Sequence, residues 1–170
     1  DKPMVNRPHL PAYVEDTPQN YLWNFSSVSR LTRAMVPPDT EIYPELDNGP
    51  FYRFSKSKTF TRLQLETSLH LDADGITLSL FDMIGSGVKL SEGYQIILSE
   101  SKAFINLVRR YGLGHMDMEG VRVLADPEAS YHLHTPEGKS MKELYPEESF
   151  WASLLSSYGI PNVYTLEKHP

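Results

Sequence analysis

Short strand-type runs alternate with helix-length segments along the first two thirds of the chain, and this alternation limits the available folds more than any other feature. Residues 4–13, interrupted by Pro8 and Pro11, read as a strand stub running into a loop. Thr17-Pro18 predicts a helix start, with the hydroxyl as N-cap and proline at the first helical position. Tyr21, Leu22, Phe25, Val28, Leu31 and Met35 then recur at helical spacing until Pro37-Pro38 stops them. Residues 41–44 form the next short strand, Asn48-Gly49-Pro50 a turn, and 57–70 a helix with Phe60, Leu63 and Leu69 on its inner side. Asp72-Ala73-Asp74-Gly75 ends that helix, 76–81 is a strand, and Gly85-Ser86-Gly87 is a loop. Residues 92–111 are helical through Tyr94, Ile97, Phe104, Ile105 and Val108. Strands of one sheet joined by helix-length connections must run parallel, so the fold class is α/β.

A second unit starts near Gly112, giving expected domains of 1–114 and 115–170. Residues 121–126 read as a buried-type strand. Pro146, Glu147 and Glu148 open a helix at its electropositive end, with Phe150, Trp151, Leu154, Leu155 and Tyr158 as its apolar set. Gly159 caps that helix, and 161–166 is a further strand that completes a βαβ unit.

A 170-residue chain that is 40% hydrophobic can bury a core. Sixteen basic against 22 acidic residues argue against nucleic acid as a partner, because phosphate binding needs a basic stripe. Arg7, Arg30, Arg33, Arg53, Lys56, Lys58 and Arg62 make the first third locally basic, which solvated helix faces explain. With no cysteine, disulfides and thiolate metal sites are excluded. No apolar run approaches the roughly 18 residues of a membrane span, and no signal peptide is visible, so a cytoplasmic protein is expected. The chain begins at Asp1 rather than Met, which fits the loss of an upstream segment.

The run from Glu41 to Gly87 resembles the last two strands of the catalytic barrel in glycoside hydrolase family 42-type β-galactosidases and their clan. There the seventh strand ends in a glutamate, an Ala-Asp-Gly turn follows the next helix, and the eighth strand ends in an aromatic residue. The counterparts are Glu45, Ala73-Asp74-Gly75 and Phe81. The resemblance implies a partial (β/α)8 barrel, about strands six to eight with their helices. The first βαβ unit of a Rossmann-like, amidotransferase-like domain would follow. Phe81-Asp82-Met83 stands where the better-known relatives carry tryptophan and arginine, so galactose specificity does not transfer. No counterpart of the fourth-strand Asn-Glu pair is present. Retaining cleavage needs two carboxyl groups about 5–5.5 Å apart, and this chain supplies one of them, so it is expected to be inactive alone.

On that resemblance Glu45 is the candidate nucleophile, with Asp47 as the fallback. A nucleophilic carboxylate must stay ionised, and Arg7, His9, Tyr13 and Asn48 are the candidate donors and substrate contacts around it. The competing account of Glu45 is an ion pair with an arginine at a strand end. Phe81 and Asp82 would offer a sugar an apolar platform beside a carboxylate, although phenylalanine at a strand end is more often core. His132 and His134 have strand alternation and, with Asp126 or Glu128, loose metal-ligand spacing that a surface loop explains better. No metal or cofactor is implied. The expected partners are a carbohydrate substrate, the remainder of the barrel and, in an oligomer, further copies of the chain. Two other readings stay open: a self-contained α/β binding module, and a non-catalytic assembly element at the junction of barrel and second domain.

Overall fold

The computed structural model describes residues 4–8, 18–47, 56–71, 73–81, 85, 87–112, 118–134 and 148–167. The chain is mixed α/β and divides into two compact units, Asp1–Met118 and Glu119–Pro170.

In the first unit β1 (Val5–Asn6) precedes helix α1 (Pro18–Met35), followed by β2 (Glu41–Ile42), β3 (Glu45–Asp47), α2 (Lys58–His70), β4 (Thr77–Ser79) and α3 (Glu92–Tyr111). Strand β1 pairs with β2 and β3 with β4, both in parallel. The ladder runs further than these short strands. The amides of Glu41, Tyr43 and Glu45 donate to the carbonyls of Met4, Asn6 and Pro8 at 3.0, 2.9 and 3.2 Å. On the other side, Thr77 N donates to Pro44 O at 3.0 Å. Residues 41–47 therefore lie between 4–8 and 74–79, with spatial order following chain order. Pro44 has no N–H to donate, which is why the middle strand divides into β2 and β3.

Alternation sets the faces. Ile42, Pro44 and Leu46 are buried, whereas Glu41 is exposed and Tyr43, Glu45 and Asp47 are half-buried. Leu46 joins Phe25 of α1 and Leu65 of α2 in one core cluster, so the even-numbered residues face the helices. By register, Thr77 and Ser79 stand beside Glu45 and Asp47 on the opposite face.

Helix α2 starts one residue after the expected 57, because Ser57 is its N-cap: the hydroxyl accepts from Phe60 N at 3.0 Å. Its inner face is Phe60, Thr61, Gln64, Leu65 and Ser68. The expected Leu63 is 42% exposed. Thr61, Gln64 and Ser68 share the buried stripe with Phe60 and Leu65, and counting apolar residues alone rotates that face.

The Ala73-Asp74-Gly75 turn is a clamp. The Asp74 carboxylate accepts from Ile42 N at 2.8 Å while Asp74 N donates to Ile42 O at 3.0 Å, which seats β4 against the middle strand. A Cβ at Gly75 would stand 2.6 Å from Cδ1 of Tyr43 and closer still to Cε1. Glycine is needed here for the close approach of that ring.

In the second unit β5 (Val121–Leu124) pairs in parallel with β6 (Asn162–Thr165), with α4 (Ala129–His132) and α5 (Glu148–Ser157) between them. Helix α5 ends at Gly159, whose φ of 69° lies in the left-handed region, as its capping role requires. Two expectations fail here. In β5 only Val123 is buried, and Val121 and Leu124 are exposed. On α5 the buried residue is Ala152, while Phe150, Trp151, Leu154 and Tyr158 are exposed, Trp151 to 58%. The small Ala152 lets the helix lie close to β6, where Asn162 donates to Ser156 Oγ at 3.1 Å and Ile160 O at 3.0 Å. That contact turns the large side chains outward.

Candidate functional site

The face of the first unit opposite its helices collects polar groups along its strands: Glu45 and Thr77 open β3 and β4, and Asp47 and Ser79 end them, so the strand expected over 41–44 runs on past Glu45. Arg7 Nη2 donates to Glu45 Oε1 at 3.1 Å, joining neighbouring strand segments 38 positions apart in the chain. Glu45 is the more enclosed partner, with its side chain 20% exposed against 55% for Arg7. The guanidinium gives the carboxylate a counter-charge. At this exposure the pair contributes about 0.2–1 kcal/mol to stability, so its consequence is chiefly local orientation. Two positions on, Asp47 projects from the same face, and its Oδ1 is buried with no hydrogen-bond partner. Thr77 and Ser79 place hydroxyls beside Glu45 and Asp47 by register.

Of the residues singled out by sequence, the structure brings Arg7, Glu45 and Asp47 onto this face. Phe81 is half-buried, its ring edge-on to Tyr94 of α3 with centroids 6.5 Å apart, and it packs against the Leu80, Tyr94 and Ile97 cluster. His9, Tyr13, Asn48 and Asp82 lie outside the described residues.

Lys56 carries no signal in the sequence beyond a locally basic stretch, and the expected solvated position is wrong. Lys56 is 3% exposed; its Nζ donates to the backbone oxygen of Asp47 at 2.6 Å. The Tyr94 hydroxyl in turn donates to the carbonyl of Lys56 at 2.9 Å. The end of β3 is thereby tied to the start of α2 and to α3. Other basic residues of this stretch also serve the fold: Arg33 donates to the carbonyls of Thr40 and Pro37 at 2.9 and 2.7 Å.

At the opposite end of the polar face, the Tyr43 hydroxyl donates to the Glu41 carboxylate. That bond, then the Glu41 charge, burial and the Asp74 charge, raise the Tyr43 pKa above its usual 10.0. A cleft of about 300 Å³ lies between α2 and α3, lined by Lys58, Arg62, Ile97 and Glu100 among others, and contains none of the predicted site residues.

In the second unit His132 closes the short helix α4, which replaces the expected strand alternation with His134. Asp126 Oδ1 accepts from Glu128 N at 3.0 Å, a turn-forming role. Among the described residues no group of three His, Asp or Glu side chains is placed to hold a metal ion. Among the same residues no helix is long and apolar enough to cross a membrane. The chain matches no protein-family model, no curated protein and no solved structure.

Proposed function

We propose that the chain is the carboxyl-terminal part of a (β/α) barrel in a retaining glycoside hydrolase, with Glu45 as the nucleophile. A βαβ unit of a second α/β domain follows it. The observation that carries the reading is the polar face opposite the helices, where Glu45 opens β3 and Asp47 stands at its carboxyl end beside Ser79 at the end of β4; the Arg7–Glu45 pair fits this reading and the competing ion-pair account alike. In a barrel those strand ends line the site. Thr77 and Ser79 beside Glu45 and Asp47 give that face the mixture of donors and acceptors that a polyol requires.

In the proposed reaction a Glu45 oxygen attacks the anomeric carbon as the bond to the leaving oxygen breaks. The departing electron pair is protonated by an acid supplied from outside these 170 residues. Water, deprotonated by that same group, then displaces Glu45, whose carboxylate recovers its electron pair. Arg7 holds the ionised carboxylate in place before attack.

The test uses dinitrophenyl glycosides of a fluorosugar, whose leaving group needs no general acid. Incubated with the full-length protein and mapped by peptide mass spectrometry, the label is expected on Glu45 and absent from Glu45→Gln. Labelling of Asp47 instead, or full glycosidase activity in Glu45→Gln, would overturn the assignment.

A further inference from the structure

Lys58, the first residue of α2, is exposed, and its side chain lies against the start of α3. A Cβ at Gly93 would stand 2.7 Å from Lys58 Cδ and would overlap Cε and Nζ. Glycine destabilises a helix relative to alanine, and its benefit here is the close seat it gives the lysine. Among the described residues no carboxylate pairs with the Lys58 ammonium. Arg62, one turn further along α2, is different: its Nε donates to Glu66 at 2.7 Å, and its Nη1 lies 3.9 Å from Glu100 of α3. The cleft between the two helices therefore has an unpaired cation at one end and an offset charge at the other. Its lining between them is apolar, with Ile97 buried and Ile96 half exposed. The ends are about 6 Å apart along α2 and about 10 Å apart along α3.

We propose that this cleft binds a medium-chain aliphatic monocarboxylate. The carboxylate sits on the Lys58 ammonium in a charge-assisted contact, with the Thr59 hydroxyl as a second donor. The aliphatic chain lies over Ile96 and Ile97, and Glu100 at the far end repels a second anionic group. At about 300 Å³ the cleft is at the small end of ligand pockets, which suits a short chain. The site is formed by the helices rather than by the Glu45 face, so it does not depend on the glycosidase reading.

Saturation-transfer NMR on the full-length protein tests this with hexanoate as the probe. Hexanoate is expected to bind, and Lys58→Met to weaken it about 10-fold. Hexanol, which lacks the charge, and adipate, which carries a second carboxylate towards Glu100, should each bind about 10-fold more weakly than hexanoate. Hexanol should bind wild type and Lys58→Met alike. Gly93→Ala should weaken hexanoate binding in the wild type and have no further effect in Lys58→Met, because it acts through the seat of the lysine. Absence of saturation transfer to hexanoate, or an affinity unchanged in Lys58→Met, would overturn the proposal. Hexanol or adipate binding as tightly as hexanoate would do the same without recourse to any variant.

Discussion

Asn162 pins α5 to β6 in the second unit, and its replacement has a calculable cost. The side chain is 4% exposed, and its Nδ2 reaches three oxygens: Ser156 Oγ at 3.1 Å, Ile160 O at 3.0 Å and Ala152 O at 3.4 Å. The last lies beyond ordinary hydrogen-bond length, so the two shorter bonds carry most of what this nitrogen contributes. At about 1 kcal/mol each, Asn162→Ala should cost about 2 kcal/mol. The loss should be concentrated where α5 meets β6. Because 1.4 kcal/mol is tenfold in an equilibrium, amide protection across α5 should fall by about 30-fold in hydrogen exchange.

Asn162→Asp has nearly the same shape and reverses the chemistry. It directs a carboxylate oxygen at two carbonyls, with only the Ser156 hydroxyl able to donate, so protection should fall further than in the alanine variant. Equal protection in Asn162→Ala and wild type, or an aspartate variant more protected than the alanine one, would refute the assignment of this amide as the pin between α5 and β6.

Gly75→Ala should destabilise the first unit by about 1–3 kcal/mol in urea unfolding, because the Tyr43 ring must retreat by more than about 1 Å to reach an ordinary contact. The double variant with Tyr43→Ala should cost less than the sum of the singles. The raised Tyr43 pKa predicts that its contribution to stability is complete below the unfolded value of 10.0 and is lost as pH rises through the higher folded value. Comparing unfolding free energies between about pH 9 and 11, the wild type should lose stability more steeply than Tyr43→Phe.

The helices were legible because their boundaries are chemical. Ser57 before Lys58, Pro37-Pro38 after Met35 and Gly159 after α5 each supply or remove a specific backbone hydrogen bond, and the observed limits follow them. Which face of a helix is buried was less legible, because the partner decides it. On α5 the apolar count points to Phe150, Trp151, Leu154 and Tyr158, yet close approach to β6 selects Ala152, the smallest apolar residue of the helix. The short helix α4 was missed because the turn at Asp126 and Glu128 closes locally, without the long periodicity that marks the others.

The candidate site divides along the same line. Glu45 could be named from the sequence as a carboxylate beside a strand-type run, with Arg7 as one of four candidate donors, and α/β topology brings such neighbouring strands together. Ala73-Asp74-Gly75 could be noticed, but its work could not be read, because the Asp74–Ile42 bond and the Tyr43 ring over Gly75 join residues 32 positions apart in chain order. Lys56 was invisible for a different reason. A lysine beside a helix cap reads as a solvated charge, and only the position of Asp47 O and the Tyr94 hydroxyl makes it an interior one. The residues around this face therefore come from two sources: strand segments that any parallel α/β chain displays, and a lysine buried by packing that holds the Asp47 carbonyl. Variants separate the two, since Glu45→Gln is read by covalent labelling and a Lys56 variant by the stability of the junction between β3 and α2.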